Sequence, residues 1–247
     1  MNMVGSIGIV NQGRVSTDLL KWVHLSVPRN VQIIDTRGNS IPRQRNMSVS
    51  GSLGGEWLLF LDSDIIPPLD LLPRILMHDA LIVGGVALER FPPFKICAIE
   101  SLNPPRRFEA EQLPHTGLLP AEALGTGCLL IRRPVFDRVS MPWFRCGQIR
   151  LDLLLEDTEF CVRAKREAGI QSYLDASLRV GHEFSGILSL GRDGRPWMRW
   201  TGSTFAAPID LRNQTDPNAL AGGATGWGNR NGKGLSSIPS TPRQEEV

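Results

Sequence analysis

Short apolar runs alternate with helix-length segments along most of the chain. Four short apolar runs read as strands, at residues 6–10, 31–34, 57–61 and 81–88, and the run 57–61 is continuously apolar, as expected of a strand buried on both faces. Segments with a helical pattern separate them, at residues 16–23, 41–53 and 69–77. Alternation of this kind predicts an α/β fold, with an open, mostly parallel sheet that carries helices on both faces.

The second half of the chain continues this pattern less regularly. Residues 127–131 read as a further strand that leads into a short helix, whereas residues 91–120 are proline-rich and are predicted to be irregular. Residues 156–168 carry the clearest helix signals, because acidic residues crowd the first turn, basic residues the last, and Gly169 follows as a stop. Residues 187–200 are expected to form a hairpin around Asp193-Gly194.

The C-terminal segment differs in composition from the rest of the chain. From residue 213 to residue 247, Gly, Asn, Ser, Pro and Thr dominate, and such a segment buries too little apolar surface to fold. The sequence therefore predicts one catalytic domain over residues 1–212 and a disordered tail over residues 213–247.

Charge, cysteine content and hydropathy narrow the class of protein. The net charge is only +2 and the basic residues are scattered, so a nucleic-acid partner is not expected. The four cysteines form no C-x-x-C pair, which favours a reducing, cytoplasmic setting. No run reaches the roughly 18 apolar residues of a membrane helix, so no transmembrane segment is expected. The oligomeric state stays open.

The most informative polar motif is Asp62-Ser63-Asp64, which follows the apolar run 57–61 directly. Because strand side chains alternate, both carboxylates can face the same side, at the strand end where ligands bind in open α/β sheets. Two neighbouring carboxylates repel each other unless a cation intervenes, so the motif indicates Mg²⁺ or Mn²⁺ holding a diphosphate. A plain turn after a strand is the alternative reading.

Residues 59–68 resemble the D-x-D segment of family 2 glycosyltransferases, which have the GT-A fold. Further matches follow the family order over roughly residues 5–185: a glycine-to-Arg-Asn stretch, a small-residue strand, an E-D-x-x-F-x-x-R helix, and a distal glycine and histidine. They lie at residues 38–46, 125–133, 156–163 and 169–182. The order of these segments is more specific than any one of them.

The resemblance implies roles for the donor side of a site. Asp62 would contact the ribose or the sugar of a nucleotide-diphosphate sugar, and Asp64 would hold the metal ion that binds the diphosphate. His182 would be the second metal ligand, and an imidazole ligand favours Mn²⁺ over Mg²⁺. Considered alone, a single histidine is more often structural than a ligand.

The resemblance also implies an acid-base residue. Asp157 would act as general base in an inverting transfer, taking the proton of the acceptor hydroxyl, and Glu156 would orient it. The alternative is that both acids are placed at the helix start because the helix dipole stabilises negative charge there.

Three weaker assignments complete the predicted site. Asp35 matches an acid near the nucleotide base, with a turn as its alternative, and Arg45 would approach the base or the diphosphate, with a solvated surface charge as its alternative. Trp197 and Trp200 could stack on an acceptor sugar, although buried packing is the competing reading.

The sequence thus predicts a metal-dependent glycosyltransferase that moves a sugar from a nucleotide-diphosphate donor to a hydroxyl of a glycan, lipid-linked or protein acceptor. A haloacid-dehalogenase-like phosphatase, with Asp62 as nucleophile, is one alternative. A non-catalytic sugar or nucleotide binder of the same fold is another. The base, the sugar, the acceptor and the linkage remain open.

Overall fold

The computed structural model describes residues 4–89, 94–146, 155–183, 186–191, 194, 196–200 and 206–208. All of these belong to one compact unit, Met1–Leu211. The predicted tail, residues 213–247, lies outside the described residues, as do residues 147–154, which precede the predicted acidic helix.

Five α-helices are formed by the described residues. They are α1 (Thr17–Ser26), α2 (Ile41–Ser52), α3 (Leu71–Leu76), α4 (Arg133–Arg138) and α5 (Glu156–Ala168). Ser16 caps α1 by accepting a hydrogen bond from the backbone of Asp18. Gly169 ends α5 in the left-handed conformation, at φ 67°, where its N–H reaches the last carbonyls of the helix.

The strands of the described residues form three sheets. They are β1 (Gly5–Asn11), β2 (Val31–Arg37), β3 (Trp57–Asp62), β4 (Ile65–Ile66), β5 (Ile82–Val86), β6 (Ala98–Leu102), β7 (Pro105–Arg107), β8 (Leu118–Ala121), β9 (Ala123–Leu124), β10 (Cys128–Arg132), β11 (Ser172–Arg179), β12 (Gly181–Glu183), β13 (Gly186–Leu190), β14 (Pro196–Trp200) and β15 (Ala206–Pro208).

The central sheet has seven strands in the order β2-β1-β3-β10-β5-β11-β8. The pairs β1/β2, β1/β3 and β5/β11 are parallel, and the pairs β3/β10, β5/β10 and β8/β11 are antiparallel. The predicted α/β class and the open sheet are therefore confirmed, and the sheet is mixed. Its middle strands are continuously buried, as the apolar runs of the sequence predicted.

One part of the prediction is wrong. Residues 91–120 were expected to be irregular, but they contain β6, β7 and β8 and a short 3-10 helix, Ala110–Gln112. The described prolines of this stretch lie in turns or loops, at the first residue of β7, or in the edge strand β8, where a missing N–H is tolerated, so the proline content concealed short strands. The predicted hairpin at residues 187–200 is confirmed as the antiparallel pair β13/β14.

The topology gathers polar strand ends at one edge of the central sheet. Because β1, β2 and β3 are parallel, Asn11, Asp35 and Asp62 lie at or near their carboxyl ends on the same edge. A second sheet, β15-β14-β13-β12-β4, begins beside β3, and its β12/β4 pairing sets His182 opposite Ile65. This pairing delivers the histidine to the end of the D-x-D segment.

Candidate functional site

The end of β3 packs tightly against the small-residue loop that precedes β10. The backbone N–H of Asp62 donates to the carbonyl of Gly127 at 3.1 Å. A Cβ at Gly127 would lie only 3.5 Å from Oδ2 of Asp62 and 3.4 Å from Ile65, so the glycine leaves room beside the carboxylate. The loop thereby shapes the wall around the first acid of the motif.

Asp64 and His182 lie next to each other although they are distant in sequence. Oδ1 of Asp64 is 3.4 Å from Nε2 of His182. On the other side of the ring, Nδ1 of His182 lies 2.8 Å from the carbonyl of Leu88, an acceptor that fixes the proton on Nδ1. In the neutral ring, the lone pair of Nε2 then faces the carboxylate, which is the tautomer that a metal ligand requires.

This pair fits a divalent cation by spacing and by chemistry. Two ligand atoms that are each about 2.1 Å from one ion are about 3.0 Å apart at an octahedral angle and about 3.4 Å apart at a tetrahedral one. Among the described residues, no group of three or more His, Cys, Asp or Glu side chains is arranged to hold a metal ion. A bound ion would therefore take its remaining ligands from a substrate and from water, as Mg²⁺ often does.

Arg45 is buried and joins two acids of the predicted site. Its side chain is only 3% exposed, with Nη2 3.0 Å from Oδ1 of Asp62 and Nε 3.2 Å from Oε1 of Glu156. Burial lowers the pKa of the guanidinium, but the charges of Asp62, Glu156 and Asp157 outweigh it and raise the pKa. Arg45 is thus a permanent cation among carboxylates, and the alternative of a solvated surface charge is wrong.

Asp157 lies at the first turn of α5, facing the small-residue loop. Its Oδ1 accepts from the backbone N–H of Thr158 at 2.7 Å, and its Oδ2 would be 3.8 Å from a Cβ at Gly125. Burial, followed by the charge of Glu156, raises the pKa of Asp157 to about 6. A carboxylate with this pKa is ionised at neutral pH and is more basic than an ordinary aspartate, as general-base catalysis requires. Glu156, which is predicted to orient Asp157, accepts a hydrogen bond from Nε of Arg45 through its Oε1.

Asp35 belongs to a separate network at the edge strand. Its Oδ1 accepts from the side-chain amide of Asn11 at 2.9 Å, and its Oδ2 pairs with Arg37 at 3.0 Å. Gln44 closes this network by accepting from the backbone N–H of Asn11 and donating to the carbonyl of Gly38. The predicted site is therefore distributed over one sheet edge, with Asp35 at its β2 end. Trp197 and Trp200 lie in β14, and their side chains are outside the described residues.

Sequence reasoning missed Gln44 and the carbonyl of Leu88. A backbone acceptor leaves no mark in a sequence, so Leu88 could not have been found. Gln44 had a signal, since α2 lies along the chain between two predicted strands of the sheet and yet has few apolar residues to pack against that sheet. Its buried positions are largely polar, and they are Gln44, Arg45, Ser48, Val49 and Ser52. Polar side chains at buried positions need hydrogen-bond partners, and Gln44 and Arg45 have theirs at the polar edge of the sheet.

No protein-family model and no curated protein matches this sequence. Solved structures do match. A197 from STIV is 18% identical, with a TM-score of 0.57 over 83% of this chain and 97% of that chain. GalNAc-T7 with UDP, GalNAc and Mn²⁺ is 15% identical, with a TM-score of 0.49 over 74% of this chain and 44% of that chain. S. aureus TarS 1-349 is 14% identical, with a TM-score of 0.42 over 69% of this chain and 56% of that chain.

The similarity to A197 establishes a shared fold. At this identity a shared fold does not specify a reaction, and the other two TM-scores are too low to add to it. None of the described helices is both long enough and apolar enough to cross a bilayer.

Proposed function

We propose that this protein is a metal-dependent glycosyltransferase that moves a sugar from a nucleotide-diphosphate donor to a hydroxyl group of an acceptor, with inversion. The sequence resemblance to family 2 glycosyltransferases suggests the reaction class. The contact that carries the proposal is the 3.4 Å approach of Oδ1 of Asp64 to Nε2 of His182, whose Nδ1 donates to the carbonyl of Leu88 on the other side of the ring.

Asp64 and His182 would hold Mn²⁺ or Mg²⁺ on the donor side. A bound cation would neutralise the charge that develops on the departing nucleotide diphosphate. Asp62, two positions before Asp64 in the motif, would accept hydrogen bonds from hydroxyl groups of the donor ribose or sugar. Asp35, with Asn11 beside it, would contact the nucleotide base at the far end of the same edge.

Asp157 would act on the acceptor side. With a pKa of about 6, its carboxylate is mostly ionised at pH 7 and can take the proton of an acceptor hydroxyl as that oxygen attacks the anomeric carbon. Its position at the start of α5, against Gly125, holds it beside the wall that also borders Asp62. The acceptor is proposed to be a glycan, a lipid-linked sugar or a protein.

Two other functions compete with this one. A phosphatase with Asp62 as nucleophile is disfavoured, because the buried guanidinium of Arg45 binds Oδ1 of Asp62 at 3.0 Å and thereby lowers the nucleophilicity of the carboxylate. A binder without activity would have the same donor site, but it would have no need of a carboxylate with a raised pKa at Asp157.

The first experiment screens UDP-, GDP- and dTDP-sugars by thermal shift with and without Mn²⁺. A donor at about 100 times its dissociation constant should stabilise the protein by roughly 2.7 kcal/mol, and only when the metal ion is present. Asp64→Ala and His182→Ala should abolish this stabilisation. His78→Ala is the matched control, since His78 forms a similar pair with Asp175, at 2.8 Å, outside the proposed site.

The second experiment measures transfer from the donor that the screen selects. Asp157→Asn should bind this donor as wild type does and lose turnover, because it lacks the base and keeps the donor side. If Asp64→Ala and Asp157→Asn both transferred sugar at the wild-type rate, the proposal would be wrong. Donor binding without any turnover across many acceptors would instead identify a binding protein.

A further inference from the structure

We propose that Arg45 is a positioning residue that couples the donor side of the site to the side that carries the general base, Asp157. It does so by holding Asp62 and Glu156 with two different nitrogens of one guanidinium. The inference rests on the proposed function and adds to it a mechanical and electrostatic link between Asp62, which faces the donor, and the first turn of α5, which carries Asp157.

The guanidinium of Arg45 lies between the carboxylates of Asp62 and Glu156 and sets the distance between them. Nη2 of Arg45 reaches Asp62 at 3.0 Å and Nε reaches Glu156 at 3.2 Å, and the side chains of Arg45 and Glu156 are only 3% and 10% exposed. A guanidinium is planar and rigid, so two acids that bind different nitrogens of it are held at a set separation. The guanidinium carbon also lies over the ring of Phe60, 5.4 Å from the ring centroid, within the range of a cation–π contact.

Arg45 is itself delivered by a firmly anchored helix. Next to it, Asn46 both donates to the carbonyl of Phe144, at 2.7 Å, and accepts from its N–H, at 3.1 Å. On the other side, Gln44 holds the backbone N–H of Asn11 at the end of β1, at 3.0 Å. Because α2 is tied on both sides, the guanidinium of Arg45 holds Asp62 and Glu156 in fixed positions relative to each other.

A purely stabilising role accounts poorly for this arrangement. Buried ion pairs contribute little net stability, and apolar replacements of similar volume are often as stable. In addition, Nη1 of Arg45 is buried and has no hydrogen-bond partner among the described residues. A buried N–H without a hydrogen-bond partner destabilises the folded state, so stability alone does not explain it. Buried polar groups without partners do occur at functional sites.

The charge of Arg45 also lowers the pKa of the proposed general base, Asp157. The groups that face Asp157 are Glu156 and Asp62, which favour its protonated form, and Arg45, which favours its ionised form. The thiols of Cys97 and Cys161 lie close enough to sense the charge of Asp157. Loss of the guanidinium would leave Asp157 facing two acids without a cation, so its apparent pKa would rise.

The test is a double-mutant cycle with Arg45→Lys and Glu156→Gln, read by kcat and by the donor dissociation constant with Mn²⁺. Lysine keeps the charge but cannot hold two acids at a set distance. A displacement of about 1 Å can cost about 100-fold in rate, so each single variant should lose at least about tenfold in kcat. The double variant should lose no more kcat than the less active of the two single variants, because both substitutions break the same link.

The pH profile of kcat supplies a second readout. Arg45→Met should move the acidic inflection to higher pH, and Arg45→Lys should restore the wild-type inflection. Arg163→Lys is the matched control, because Arg163 is equally buried on α5 and pairs with Glu159 at 3.4 Å. It should lower the melting temperature and leave both kcat and the inflection unchanged.

The outcomes separate the two proposals. If wild type neither binds nor transfers from UDP-, GDP- or dTDP-sugars with Mn²⁺, the proposed function is wrong. If wild type transfers sugar, but the losses of Arg45→Lys and Glu156→Gln multiply and the inflection of Arg45→Met does not move, the coupling is wrong and the proposed function stands. Should Arg45→Met fail to fold, the cycle with Arg45→Lys still decides.

Discussion

Asp157→Asn is expected to make the folded protein more stable at neutral pH while removing its proposed base. Burial raises the pKa of Asp157 from 3.8 to about 6, so ionising this carboxyl opposes folding. One unit of pKa corresponds to about 1.36 kcal/mol, and the difference of roughly two units therefore amounts to about 3 kcal/mol at pH 7. Asparagine keeps an oxygen for the N–H of Thr158 and carries no charge to bury.

The sign of this effect depends on pH. Below the ordinary pKa of an aspartate, the carboxyl is protonated in both the folded and the unfolded state, so it contributes no pH-dependent term. As the pH rises, the unfolded state releases its proton first, and the contribution of Asp157 to the free energy of unfolding of wild type falls until the pH passes about 6. The stability advantage of Asp157→Asn should grow over this window and then stay constant.

Urea denaturation of both proteins at about pH 4, 5, 6 and 7.5 measures this difference directly, and it requires no knowledge of the substrate. Asp137→Asn is the matched control, since Asp137 is a carboxylate on α4 whose side chain is 58% exposed. The reasoning would be refuted if Asp157→Asn were less stable than wild type at pH 7.5, or if the difference between them did not change with pH.

Three further predictions concern stability. Arg163→Met takes hydrogen-bond donors from a buried glutamate and three backbone carbonyls and should cost about 3–5 kcal/mol in urea unfolding, whereas an unchanged midpoint would contradict this. Gly5→Ala places a Cβ 2.1 Å from Trp57 and should cost about 1–3 kcal/mol in thermal unfolding, while Gly54→Ala, with open space around it, should be neutral. Backbone and side-chain hydrogen bonds lower the pKa of Glu167 to about 2, so Glu167→Gln should be less stable than wild type at pH 7. The difference in the free energy of unfolding should shrink toward pH 2, and a difference independent of pH would contradict this prediction.

The local pattern of the sequence was sufficient for most of the elements. The apolar run 57–61 became β3, extended by Asp62, and the segment 156–168 became α5 with the bounds expected from its charged ends and Gly169. These predictions succeed because periodicity, helix-end charges and glycine stops act over a few residues. The strands in residues 98–121 were missed because they are short and interrupted by proline, so they have no such pattern.

For the site, the sequence supplied the residue types and their order but not their neighbours. The motif named Asp64 and His182, and the 3.4 Å between them follows from the pairing of β4 with β12. Arg45 was weighed against a solvated surface charge, and only the packing of α2 onto the central sheet showed that it is buried between two acids.

What the sequence determined by itself is therefore the class of fold, the main helices and strands, and a set of candidate acids with one histidine. The tertiary structure decided the mixed order of the central sheet, the burial of Arg45 and the raised pKa of Asp157. The physical reason is that burial and charge environment depend on segments far apart in the chain, whose packing no local pattern encodes.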